Sequence, residues 1–235
     1  MISFSKRCPH CFHFLAYKYA HYVDYLVCTE CGGKFTESKY RFGTRLFDET
    51  ELFTLAYYNQ PSSISKTVIY FAGANVRGGN QAKKAMNQSR IYKLADEYKF
   101  NVICIGVKAP YFEDGKDYTP LIKFLLEQNK LKAQDIILIG FSNGGIPTIL
   151  TGWQYNFDKV CFVSPVLSIF TDTFCQQIQS EVVLINNLKD SPYFHKTISL
   201  LNSMLTNYHK SCLLFNVPVG HTTTKSFERI IEHCF

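Results

Sequence analysis

The chain has 235 residues, 46% hydrophobic and 19% charged, which suits one sizeable buried core and excludes a disordered chain. Its 25 basic and 19 acidic residues give a formal net charge of +6 with no run of five or six like charges, so the basic excess reads as solvated surface and does not indicate a nucleic-acid groove. No stretch approaches the roughly 18 apolar residues of a membrane span, and no apolar signal core follows Lys6-Arg7.

Residues 1 to 40 are rich in Cys, His and Tyr and poor in aliphatics. Cys8-Pro9-His10-Cys11 and Cys28-Thr29-Glu30-Cys31 form a C-x2-C-x16-C-x2-C pattern. Each C-x-x-C turn points two thiolates at one ion, and two such turns complete a tetrahedron, so this spacing is a strong zinc signal. Cys31-Gly32-Gly33 supplies the glycines of a tight knuckle, whereas Phe12 follows the first pair. A redox pair would call for one C-x-x-C in a thioredoxin-like unit; a rubredoxin-like iron site is the other alternative, and His10 and His13 are substitute ligands. The segment resembles a zinc ribbon, which implies one structural zinc held by Cys8, Cys11, Cys28 and Cys31. Its aromatics, Tyr17, Tyr19, Tyr22 and Tyr25 among them, read as a small packed core, with a protein- or nucleic-acid-binding face as the alternative. Three of the other five cysteines lie in or beside apolar strand candidates, and this usage predicts a reducing, cytoplasmic setting.

Residues 41 to 66 are hard to read: Phe53 to Tyr58 fits a strand or a helical turn, and Pro61-Ser62-Ser63 breaks the chain. From Thr67 a rhythm begins. Strands are predicted at 67–71, 102–107, 136–139, 160–163, 182–185 and 212–217. Helices are predicted at 81–98, 118–128, 146–155, 194–208 and 225–234. Strands alternating with helices predict an α/β fold, a mostly parallel sheet with helices on both faces. The expected division is a ribbon over 1–40 and the α/β domain over 41–235.

Between the third strand and its helix stands Gly140-Phe141-Ser142-Asn143-Gly144. This is the G-x-S-x-G nucleophile elbow in its strand–turn–helix context, with small residues where a sharp turn crowds the backbone. Pro147 is expected just past the first helical turn, where it forfeits a bond. A serine nucleophile needs a base, and the base an orienting acid. Asp190 follows the strand at 182–185 and His221 the strand at 212–217, so both come to the sheet edge that carries Ser142. Asp172 is the substitute acid and His195 the substitute base, the latter expected inside a helix. The oxyanion donors are expected at the N–H of Asn143 and in the loop after the first strong strand, at Ala74 with Gly73 next. Arg77 in that loop suits an anionic substrate or plain solvation.

From Thr67 to the end the chain resembles the α/β-hydrolase family, with elbow, acid and histidine in the family's order. The resemblance implies a serine hydrolase acting on a small-molecule ester or thioester through an acyl-enzyme; the alternatives are a small peptidase, an acyltransferase, or a non-catalytic adaptor using the ribbon. Two departures stand out. Phe71-Ala72 replaces the usual oxyanion-loop histidine, and the segment from Ser164 to Val182 is too short for a large lid.

Overall fold

The computed structural model describes residues 15–20, 23–28, 34–40, 43–49, 53–59, 66–73, 81–107 and 118–235. Its strands form one 11-stranded sheet. Strands β1 (Leu15–Ala20), β2 (Val23–Cys28), β3 (Lys34–Tyr40), β4 (Gly43–Glu49) and β5 (Phe53–Asn59) pair antiparallel in succession. The expected division at residue 40 falls between β3 and β4, which pair from Phe35–Asp48 to Tyr40–Gly43.

The parallel part follows. It comprises β6 (Thr67–Ala72), β7 (Asn101–Val107), β8 (Ile136–Phe141), β9 (Lys159–Val163), β10 (Glu181–Asn187) and β11 (Cys212–Val217). These six run parallel in the spatial order β7-β6-β8-β9-β10-β11, as their apolar runs predict, and β5 joins the antiparallel wing to β7. The ambiguous segment 53–58 is therefore a strand. Leu55 and Tyr57 enter one core while Ala56 and Tyr58 enter the other. A strand buried on both faces has no polar alternation, so its pattern cannot be told from a helical turn.

Among the described residues seven helices cover the faces: α1 (Gln81–Ser89), α2 (Ile91–Tyr98), α3 (Thr119–Gln128), α4 (Gly145–Gly152), α5 (Thr171–Gln177), α6 (Pro192–Asn207) and α7 (Thr224–Cys234). Alternate strand residues split between two cores. Phe71, Leu138 and Phe162 pack under α3 to α6, and Tyr70, Ile139 and Cys161 under α1, α2 and α7. The helix predicted over 81–98 is two helices, because Arg90 turns left-handed at φ 54° and the Ser89 hydroxyl takes the Ile91 N–H. The segment after β9 forms α5, whose Phe174 meets Phe162 edge-on at 5.5 Å. Pro147 is the third residue of α4, inside the first turn, where its missing N–H has no intrahelical partner to lose. At the sheet edge where β9 and β10 begin, Lys159 and His233 both reach Glu181 at 3.1 Å and tie α7 to the sheet.

Candidate active site

The chain leaves β6 toward β7 on one side and later returns to β8 on the other. The carboxyl ends of β6 and β8 thus flank a topological switch point, where open α/β sheets form their clefts. Ser142 follows β8 there and Gly73 follows β6. Ser142 holds φ 53°, a left-handed conformation that costs a residue with a Cβ about 1–2 kcal/mol. The surrounding atoms leave no room for larger residues at positions 140 and 144. A Cβ on Gly140 would lie 2.5 Å from Thr148 Oγ1, and one on Gly144 would lie 2.1 Å from the Phe71 carbonyl oxygen. Both glycines of the motif are therefore steric requirements. The Val166 N–H donates to the Ser142 carbonyl at 2.8 Å and ties the segment after β9 to the elbow.

The oxyanion candidates sit as follows. Asn143 lies in the 3-10 turn Ser142–Gly144, and N–H groups at a helix start lack intrahelical acceptors. A Cβ on Gly73 would come 2.9 Å from the Ser142 Cβ, so Gly73 itself lies directly against the serine. Ala74 and Arg77 lie outside the described residues.

Asp190 and His221 come together. His221 Nδ1 is 2.9 Å from Asp190 Oδ2, with the Asp190 side chain 4% exposed and that of His221 27%. An ionised carboxylate only accepts, so it holds the proton on Nδ1 and leaves Nε2 as the free base position. The two loops are joined by backbone: Leu188 and Lys189 N–H donate to the Val217 and Val219 carbonyls at 2.8 Å. Burial by itself would raise the Asp190 pKa, but hydrogen bonds from the Ser164 hydroxyl, His221 and the Ser191 N–H, and the charge of His221, outweigh it and hold the pKa below the ordinary value.

The His221 ring lies between two phenyl rings, with Phe141 at 4.7 Å and Phe194 stacked at 4.5 Å. Phe141 directly precedes Ser142, so the imidazole stands beside the elbow. No hydrogen bond joins His221 to Ser142 among the described residues. The substitutes go elsewhere: Asp172 accepts from the Tyr208 hydroxyl at 2.9 Å, and His195, inside α6 as expected, meets Asn186 at 2.7 Å. Sequence patterns do not single out Phe194, Asn187 or Ser164; that Ser164 follows β9 and Asn187 ends β10 at the same sheet edge sets neither apart from other strand-end residues.

Of the cysteine motifs, Cys8, Cys11 and Cys31 lie outside the described residues, while Cys28 ends β2. The hairpin register pairs Leu15 with Cys28, so the chain positions that flank the two motifs meet at one end of β1 and β2. Among the described residues no group of three or more His, Cys, Asp or Glu side chains could hold a metal ion. No helix among them is long and apolar enough to cross a membrane.

No protein-family model and no curated protein matches the chain. Solved structures do. The S-formylglutathione hydrolase of Staphylococcus aureus superposes with a TM-score of 0.63 at 14% identity, over 88% of this chain and 99% of that one. A cold-adapted esterase from an Arctic intertidal metagenomic library gives 0.62 at 10% identity, over 84% and 95%. The capsule O-acetyltransferase of Neisseria meningitidis serogroup A gives 0.58 at 14% identity, over 83% and 98%. The chain has the α/β-hydrolase fold. At these identities the likeness concerns the fold, and in that fold Ser142, Asp190 and His221 follow the third, fifth and sixth parallel strands in chain order.

Two outcomes are expected. Gly144→Ala should lose about 3 kcal/mol or more, or fail to fold, because its methyl meets backbone, while Gly220→Ala, whose Cβ would be 3.4 Å from the Lys189 carbonyl oxygen, should stay within about 1 kcal/mol of wild type in urea unfolding. The lowered Asp190 pKa adds stability that is fully present above the ordinary aspartate value of about 3.9 and is lost as pH falls through the lower native value. The stability gap between wild type and Asp190→Asn should therefore be widest near neutral pH and close in acid.

Proposed function

We propose that the chain is a serine hydrolase that cleaves an ester or thioester of a small acyl substrate through an acyl-enzyme. The observation that carries this reading is the Asp190–His221 hydrogen bond beside a serine held left-handed at an elbow whose positions 140 and 144 admit only glycine. Ser142 Oγ attacks the acyl carbonyl carbon while His221 Nε2 takes its proton. Asp190 keeps the imidazole in the right tautomer and stabilises the imidazolium. The Asn143 N–H, with that of Ala74 or Gly73, receives the oxyanion. Collapse expels the alcohol or thiol, which leaves with the proton held by His221. Water, activated by the same base, then releases the acid and restores Ser142. An acyltransferase would run the same steps with another acceptor in place of water, and the capsule O-acetyltransferase shares this fold. In this reading zinc, held by Cys8, Cys11, Cys28 and Cys31, orders residues 1–40 and takes no part in acyl transfer, since four thiolates leave no open position.

Wild type should label with a fluorophosphonate probe. Ser142→Ala should neither label nor turn over esters, while its unfolding midpoint stays near wild type. Asp190→Asn should slow turnover by about 10⁴. Turnover retained in purified Ser142→Ala would remove Ser142 from the mechanism, and an unlabelled wild type would favour a non-catalytic adaptor. Elemental analysis should find about one zinc per chain. Cys28→Ser with Cys31→Ser should lose it and still label; labelling lost from a folded double mutant would contradict a separate structural site.

A further inference from the structure

Behind Asp190 lies a buried line of polar side chains that the acyl-transfer steps do not use. Ser164, Asn187 and Ser226 are 1%, 1% and 0% exposed, so each must find partners inside the protein. Their hydrogen bonds run one way. The Ser226 hydroxyl shares its one proton between Asn187 Oδ1 at 2.8 Å and the Thr222 carbonyl at 3.0 Å, Asn187 Nδ2 donates to Ser164 Oγ at 3.3 Å, and the Ser164 hydroxyl donates to Asp190 Oδ2 at 2.6 Å. Because Ser164 Oγ accepts from Asn187, its own proton is directed to the carboxylate, and aligned donors polarise one another. The Asn187 amide also donates to the Thr222 carbonyl at 3.3 Å, next to His221 in sequence. One side chain thus ties the loop of the acid, the loop of the histidine and the end of β9.

We infer that Ser164 is a positioning residue for Asp190, aligned by Asn187 and Ser226. This inference rests on the reading of Ser142, Asp190 and His221 as a triad. Oδ2 of Asp190 takes both the Ser164 hydroxyl and His221 Nδ1, while Oδ1 takes the Ser191 N–H at 2.8 Å. Three donors fix the carboxylate plane, and the plane fixes where the imidazole points. The charged group that acts on Asp190 is His221 itself. Ser164 also holds φ 44°, a conformation that glycine adopts more easily. The hydroxyl is present against that backbone preference, which argues for a use.

The test measures p-nitrophenyl acetate turnover and fluorophosphonate labelling rates with the full chain. Ser164→Ala removes the hydroxyl and keeps the unfavourable φ; Ser164→Gly removes both and carries the test if the alanine variant fails to fold. Either should lower kcat about 10- to 100-fold with KM within about twofold. The acid limb of kcat/KM should move to higher pH, because a carboxylate stripped of a donor is a stronger partner for the positive charge beside it. In an Asp190→Asn background the same substitution should cost nothing further in labelling rate, since Ser164 acts through that carboxylate. A merely structural role would cost the same in both backgrounds, and that result would overturn the inference. Wild-type kcat and an unmoved acid limb in both variants would overturn it too while leaving the triad intact. A wild type that neither labels nor turns over would instead overturn the triad and this inference with it.

Discussion

The site depends on one close approach of backbone to backbone. The turn after β8 lies so near the end of β6 that a Cβ on Gly144 would stand 2.1 Å from the Phe71 carbonyl oxygen. That approach bends the chain sharply enough to hold Ser142 left-handed. It also sets the turn beside Gly73, whose Cβ would stand 2.9 Å from that of Ser142. The elbow and Gly73 are thus one steric arrangement, and it exists only because β6 and β8 are parallel neighbours at the switch point.

Asp190 and His221 reach the same edge from β10 and β11, also parallel neighbours. Their loops pair by backbone before any side chain acts, and a Cβ on Gly220 would just touch Lys189. The Asp190–His221 hydrogen bond is therefore held at the level of the sheet. Side chains then refine it. Phe141 and Phe194 bracket the imidazole, and Ser164, Asn187 and Ser226 support the carboxylate. Each of the parallel strands β6, β8, β9, β10 and β11 delivers a residue to this edge, so the centre is spread over the whole parallel half.

The antiparallel wing makes a different contribution. β5 covers the outer edge of β7 and places Leu55, Ala56, Tyr57 and Tyr58 in the two cores. A parallel edge strand left open would present unpaired backbone groups. Here the first five strands satisfy that edge and carry the sheet on into the segment with the cysteine motifs. The hairpin that pairs Leu15 with Cys28 is itself part of this continuous sheet.

The sequence by itself determined the parallel strands and the elbow, because both have local causes. A buried parallel strand must be a continuous apolar run, and a left-handed serine between crowded turns must have glycines on both sides. Chain order also sufficed to bring Asp190 and His221 to the edge of Ser142, since successive parallel strands end at the same side. Other features needed the tertiary structure. Asp190 and not Asp172 faces the histidine because β10 and β11 are neighbours and their loops pair, a contact across 31 residues that no local pattern encodes. The strand at 53–59 was illegible because burial on both faces erases periodicity, and the helix break because it hangs on one left-handed residue, Arg90, inside an otherwise helical pattern. Ser164, Asn187 and Phe194 are ordinary residues in sequence, and only the packing of β9, β10 and α6 around one carboxylate and one imidazole sets them apart.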